Sequence, residues 1–373
     1  MHCQSIVQAL EGRFDVRVIA PRPKQVQAKE SNLAIFPVLL DWISNLFRQT
    51  FLKHSTGKGR GQSVPTRAIV ASGFFAGSVG LLWARLRRIP LVYYVPDPPE
   101  AVSMQFHDLA PGNARRIEWL VVRIERMIMR RANIVMIPSS TMEKYVLGEG
   151  VAGDNILVFP RLHEEPKLSL ANVQRWQKQL GLQDRVGVVF VGSLDHPPNM
   201  RSFQFIRNVL APRLQEAVPQ ARLIIAGRGS EGLTADLPRN MSVLGPVEDL
   251  EGLLFACSVG IAPMDVKGGT SNKIIDYLLH GLQVTATIEA AEGVISSPNL
   301  KISDEDGFAS AVCSQVLGAE RGSDAETKRS PDPAYLENYV RSKAPKQLTD
   351  KLGLLIRSGN GGSPRLSREV QGP

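Results

Sequence analysis

RLIIAGRGSEGL, Arg222 to Leu233, runs an apolar, strand-like stretch into Gly227-x-Gly229-x-x-Gly232. That spacing opens the helix of a dinucleotide-binding unit, but glycines also follow strands in other nucleotide sites. The residues that come next decide between the two. A dinucleotide site needs a long helix at the third glycine and an acid at the end of the next strand. Here LTADLPRNMSVLGPVED follows, and Pro238 leaves room only for a turn. Glu248 and Asp249 stand at the expected distance, yet they follow Gly245-Pro246 and so begin a helix rather than end a strand. The glycine spacing is therefore read as coincidental, and NAD and FAD are set aside.

Outward from this stretch, short β-branched runs alternate with helical patterns along the whole chain, the mark of parallel βαβ units. DVRVIA, AIVAS, LVYYV, NIVMIP and NILVFP are the candidate strands of the first half, and the clearest helix runs from Ala114 to Arg131. VGVVFVG, ARLIIAG, MSVLG, VGIAP and VTATI are those of the second. The polar stretch RLHEEPKLSLAN, Arg161 to Asn172, reads as a linker between them. The fold expected is α/β, with two tandem doubly wound Rossmann-like domains facing a cleft and ligands at the carboxyl ends of the strands. The domains are residues 1–162 and 163–345, with 346–373 the end of a C-terminal helix and a Gly/Ser/Pro-rich disordered tail. CQSIVQALEGRF already reads as a helix, so the first strand of the N-terminal domain and its glycine turn are expected to be missing. Either the true start lies upstream or the domain lacks that strand.

At 373 residues the chain exceeds one ordinary core, and 43% hydrophobic with 21% charged residues is the balance of a soluble globular protein. Its three cysteines are odd in number and far apart, with no histidine cluster nearby, which points to a reducing compartment and away from a structural metal. MHCQSIVQALEG has no basic region followed by an apolar core, so no secretion signal is expected. Ala68 to Ala84 carries no charge, but it is short for a bilayer and broken by Gly73, Gly77 and Gly80. A strand, a glycine turn and a helix start explain it.

The net charge of +8 gathers in the first half, at Arg85, Arg87 and Arg88, in the loop HSTGKGRGQ, and at Arg115, Arg116, Arg123, Arg126, Arg130 and Arg131. No nucleic-acid motif accompanies it, and aromatic residues make up only 6%. An anionic membrane surface or an anionic acceptor fits better, because FPVLLDWISNLFRQTFLKH is apolar, amphipathic and followed by bases. A solvated basic face remains the plain alternative. The location expected is cytoplasmic, with peripheral contact at the inner face of the cell membrane left open.

MDVKGGTSNKIIDYLLHG, Met264 to Gly281, is the most informative stretch chemically. A strand ending at Pro263 passes through Gly268, Gly269, Thr270, Ser271 and Asn272 into an apolar-periodic helix from about Lys273. Small residues before a helix let unpaired backbone N–H groups approach an anion. Lys273 lies in the first turn, where a cation is unfavourable unless an anion arrives, and this suggests a diphosphate. Asp276, one turn on, is placed to accept hydrogen bonds from sugar hydroxyls. The other reading is an ordinary capped helix with Ser271 or Thr270 as cap, Lys273 in solvent and Gly281 as the terminating glycine.

Val188 to Gly293 resembles the nucleotide-binding domain of GT-B glycosyltransferases of family 4, the group 1 transferases. FVGSLDHPPNMRSFQFI looks like its opening strand and helix, and ARLIIAGRG like its next strand and loop. VLGPVEDLEGLLFACSVGIAPM resembles its base-binding region, GGTSNKIIDYLLHGLQVTAT its diphosphate-binding helix, and EAAEGV completes the match. IPLVYYVPDPPE and IERMIMRRANIVMIPSS resemble the acceptor domain more loosely. The family carries two glutamates separated by seven residues. The second falls on Asp276 and the first on Gly268. A histidine often seen near the acceptor cleft falls on Pro96, leaving Asp97 and Glu100 as the local acids.

The resemblance implies sugar transfer from a nucleoside diphosphate sugar, bound as substrate with no cofactor, to a lipid-linked or polysaccharide acceptor, with anomeric retention and no metal. Lys273, Asp97 and Arg228 are its candidate catalytic residues. Gly192 and Ser193, Gly227 and Arg228, and Leu244 to Val247 join Gly268 to Lys273 and Asp276 in the donor site. Arg228 is equally readable as a surface arginine in a turn. Asp304-x-Asp306 has the spacing of a metal-binding pair in another transferase class, but helix capping by Ser303 or Asp304 explains it simply. Two alternatives stay open: a nucleotide-sugar epimerase using His107 or His163, and a degenerate relative that binds a nucleotide or partner without turnover.

Overall fold

A computed structural model of the chain describes residues 68–95, 114–230, 236–264, 271–321 and 331–357, together with Ile6, Leu10 and Leu233. The chain divides into two compact units, Met1–Phe159 with Ala344–Pro373, and Pro160–Lys343. DVRVIA, the basic loop, the amphipathic segment before it and the C-terminal tail all lie outside the described residues, so nothing described bears on the expectation of a missing first strand.

In the first unit β1 (Ile69–Ser72), β2 (Leu91–Tyr94), β3 (Ile134–Ile137) and β4 (Ile156–Val158) form a parallel sheet in that order. Every residue of β2 and β3 is buried, which is why LVYY and IVMI are continuous apolar runs rather than alternating ones. Gly73 at φ +76° turns β1 into α1 (Gly73–Arg87), so the uncharged segment is indeed strand, glycine and helix. No helix among the described residues is long and apolar enough to cross a membrane. α2 (Ala114–Arg131) follows β2 as expected, and its Glu125 accepts a 2.7 Å hydrogen bond from the Tyr93 hydroxyl inside the core. The C-terminal helix Ala344–Arg357 belongs to this unit, with Lys351 Nζ donating to the carbonyls of Asp154 and Ile156 at 2.7 and 3.3 Å.

The second unit is a parallel sheet in the order β10 (Leu300–Ser303), β9 (Gln283–Thr287), β8 (Val259–Ala262), β5 (Val186–Val191), β6 (Ala221–Ala226) and β7 (Met241–Val243). Its helices include α3 (Leu170–Leu180), α4 (Pro197–Phe205), α5 (Leu250–Ala256), α6 (Asn272–Leu279) and α7 (Glu305–Arg321). Two apolar clusters fill the faces, one around Tyr277, Leu278 and Leu282, the other around Phe190, Ile206 and Phe308.

Arg161 to Asn172, read as the linker, follows directly on the boundary at Phe159/Pro160; within it the His163 N–H donates to the Tyr339 carbonyl at 2.8 Å, and α3 begins at Leu170. Residues 161–169 form no regular element.

Candidate nucleotide site at the switch point of the second unit

β5 and β8 are neighbours in the sheet, but β5 leads away to β6 and β7 while β8 leads the other way to β9 and β10. Loops leaving two such strands diverge, and the crevice outside their carboxyl ends is where open α/β sheets bind ligands. Here that crevice lies between the loop at Gly192 and Ser193 and the start of α6.

The loops on the β5 side form one hydrogen-bonded lattice. Gly192 N–H donates to the Ala226 carbonyl at 2.9 Å, Leu194 N–H to Arg228 at 2.7 Å, and Gly227 N–H to Gly245 at 2.8 Å. Ser230 Oγ donates to the Gly227 carbonyl at 2.8 Å and accepts from Gly245 N–H at 3.1 Å. Gly227 has φ +145°, and a Cβ there would lie 2.0 Å from the Gly192 carbonyl oxygen. Glycine is required at 227 because two loops touch there. The next described regular element after β6 is strand β7, and Asp249 caps α5 by accepting from Gly252 N–H at 3.1 Å.

α6 supplies the other wall. Ser271 stands at its N-cap, but its side chain makes no capping bond, and Oγ is buried with no partner among the described residues. Lys273, half-buried, sends Nζ across the switch point to Asn199 Oδ1 at 2.9 Å, with the ammonium 4.1 Å from the centre of the Phe190 ring. Asn199 in turn donates Nδ2 to the Ser193 carbonyl at 2.9 Å. Burial lowers Lys273 from its ordinary value to about 7. No carboxylate pairs with it among the described residues. The solvent reading of Lys273 is therefore wrong, because a cation in water is not seated on an aromatic ring and an amide. Gly281 at φ +72° ends the helix as expected.

Asp276, one turn further, receives a 2.8 Å hydrogen bond from His163 Nδ1, while its side chain stays 37% exposed. His280 bonds the Asp276 backbone carbonyl through Nδ1 at 2.6 Å, and burial lowers its affinity for a proton. Tyr277 faces inward, and its hydroxyl accepts from Val191 N–H at 2.7 Å, tying α6 to the end of β5. Burial keeps that phenol protonated.

The structure thus brings Gly192, Ser193, Gly227, Ser271, Asn272, Lys273 and Asp276 to one end of the sheet. Arg228 is exposed beside them, with its carbonyl tied to Leu194. Leu244 and Val247 turn their side chains onto the core, leaving backbone for any base contact. Gly268, Gly269, Thr270, Asp97 and His107 lie outside the described residues. Asp304 accepts from Gly307 N–H at 2.8 Å, which is helix capping. No cluster that could hold a metal occurs among the described residues. Sequence reasoning missed Asn199, Phe190 and the pairing of His163. An amide in the first turn after Gly192-Ser193 was the only available signal for the first.

A family model described as "Glycosyl transferases group 1" matches residues 185–316, and one described as "Glycosyl transferase 4-like domain" matches residues 1–161. No curated protein matches the sequence. In fold, the chain is similar to the crystal structure of Anabaena Alr3699/HepE in complex with UDP, at TM-score 0.64 and 16% identity, covering 94% of this chain and 89% of that one. The complex of the same protein with UDP-glucose gives TM-score 0.63 and 16% identity over 94% and 88%. Sucrose-phosphate synthase from Thermosynechococcus elongatus gives TM-score 0.65 and 15% identity over 96% and 93%. Two family models covering most of the chain and GT-B neighbours along its length agree with the switch-point geometry: the chain belongs to the family 4, group 1 glycosyltransferases, and is a glycosyltransferase of GT-B fold.

Proposed function

We propose that the chain transfers a sugar from a UDP-sugar to a lipid-linked or polysaccharide acceptor, retaining anomeric configuration and needing no metal. The observation that carries this reading is Lys273, a half-buried ammonium at the N-terminus of α6 that no carboxylate pairs among the described residues, beside the Ser271 hydroxyl, which has no partner among them. A departing diphosphate gathers negative charge, and donors fixed in advance at that point stabilise it most. Lys273 and the N–H groups of the first turn supply the charge that a divalent ion would otherwise bring. Asp276 takes the ribose, and backbone near Leu244 to Val247 the base. UDP is preferred because the similar Anabaena structure holds it.

The acceptor class rests on the first unit. Leu82 and Leu86 on α1, and Trp119 and Leu120 on α2, are exposed among arginines. Arg87 lies 5.2 Å from the Trp83 ring and Arg123 5.1 Å from the Trp119 ring. Aromatic and leucine side chains interleaved with bases suit an anionic lipid surface. Arg126 and Arg130 are engaged with Glu149 and do not contribute.

The test is UDP release from a panel of UDP-, GDP- and ADP-sugars with lipid and saccharide acceptors, with the product anomer read by NMR. Turnover of one donor, unaffected by chelator, is expected. Turnover of none overturns the donor reading, and loss on chelation overturns metal independence.

Binding has a sign-determined pH dependence. Free Lys273 titrates at about 7, and a bound diphosphate raises that value. Below about 7 the lysine carries its proton in both states and adds no pH dependence of its own; above it, binding must take up a proton. UDP affinity is therefore expected to fall by up to about tenfold per pH unit from 7 towards 9. Calorimetry at pH 8.5 in two buffers of different ionisation enthalpy should show proton uptake. Equal apparent enthalpies would contradict this.

A further inference from the structure

His163 carries an interaction that neither the fold nor the proposed chemistry has used. It comes from the extended segment before α3, and its backbone is held by the Tyr339 carbonyl. Its ring stands edge-on to Tyr339 at 6.4 Å between centroids, and its side chain is only 7% exposed. An ionised carboxylate can only accept, so Nδ1 carries the hydrogen that it gives to Asp276 Oδ1. Nε2 is then left buried with no partner among the described residues. An apolar side chain would fill the same place without an orphaned nitrogen. What the imidazole adds to that packing is a donor that holds the carboxylate.

The geometry points to His163 as a positioning residue for donor binding, one that fixes the rotamer of Asp276 by occupying Oδ1 and so presents the second oxygen to the ribose hydroxyls. This rests on the donor reading of α6. Asp276 stands where the family carries a glutamate, and an aspartate, one methylene shorter, has less reach. A donor behind it fixes its direction. His280 completes the seat from the other side by bonding the Asp276 carbonyl, and so holds the last turn of α6.

The experiment compares wild type, His163→Ala, His163→Asn, Asp276→Ala and the double variant His163→Ala/Asp276→Ala by calorimetry, with UDP and inorganic pyrophosphate as probes. Asparagine places an amide N–H near the position of Nδ1. His163→Ala is expected to weaken UDP about tenfold and leave pyrophosphate within twofold. His163→Asn should recover most of the loss, and the double variant should bind no worse than Asp276→Ala. Unchanged UDP affinity in a folded His163→Ala protein overturns the inference. So does an equal loss for pyrophosphate, a loss that asparagine does not recover, or additive losses in the double variant. If His163→Ala does not fold, His163→Asn decides alone: near-wild-type affinity supports positioning, and a loss as large as that of Asp276→Ala overturns it. A wild type that binds none of UDP, GDP and ADP overturns the donor reading itself, and the inference with it.

Discussion

Lys273→Ala is expected to weaken UDP binding by about 10- to 100-fold, the range of a lost hydrogen bond to a charged group. Turnover should fall further than affinity, because the diphosphate carries more charge as it leaves than when bound. Stability should move the other way from function. In the free protein the Lys273 ammonium is lowered to about 7 by burial, so removing it relieves a cost of burial while forfeiting the Asn199 bond and the contact with the Phe190 ring. Lys273→Met, which keeps the stem, should unfold at or above the wild-type temperature while losing UDP. A variant that loses stability and keeps UDP would mean that the lysine is a strut rather than a ligand.

Gly227→Ala carries the largest expected effect on folding. The new Cβ would meet the Gly192 carbonyl oxygen at 2.0 Å and its carbon at 2.6 Å, and both are backbone atoms that no rotamer change can move. The φ of +145° adds conformational strain for any side chain. Together these cost about 3 kcal/mol or more, enough to lower the unfolding temperature of the second unit by about 10 °C. UDP binding should weaken too, since the Gly192 loop is displaced. Gly318→Ala is the control: apart from its own stretch of helix, no atom lies within 4 Å of its Cβ position inside α7, and helix propensity makes it neutral or stabilising by about 0.5–1 kcal/mol. Differential scanning calorimetry of the two variants checks both signs. Similar unfolding temperatures for Gly227→Ala and wild type would refute the loop contact.

The fold was legible because its central strands are buried on both faces. VFV, LIIA and VGIA leave no alternation to misread, and Gly73 and Gly281 mark turns where only glycine is comfortable. Reading past Gly232 to Pro238 was enough to dismiss the dinucleotide fingerprint, because what distinguishes the two folds is local. The lysine at the start of α6 was legible for the same reason: a cation in a first helical turn conflicts with the dipole.

Its surroundings were not legible. Asn199 and Lys273 are 74 positions apart, and His163 and Asp276 are 113 apart. Sheet order brings Asn199 and Lys273 together, through the adjacency of β5 and β8, which no periodicity encodes. The segment around His163 is polar and aperiodic, and nothing in its pattern marks the ring that bonds Asp276. Gly227 shows the converse: the motif was recognised, but its reason, contact with the Gly192 loop, became visible only in three dimensions.

The central claim is that a nucleoside diphosphate binds where β5 and β8 diverge. Calorimetric titration of the folded wild-type chain with UDP, GDP, ADP and NAD tests it most directly. One nucleoside diphosphate should bind at one site per chain, and NAD should not bind. Heat from NAD alone, or no heat from any nucleoside diphosphate, would contradict the claim.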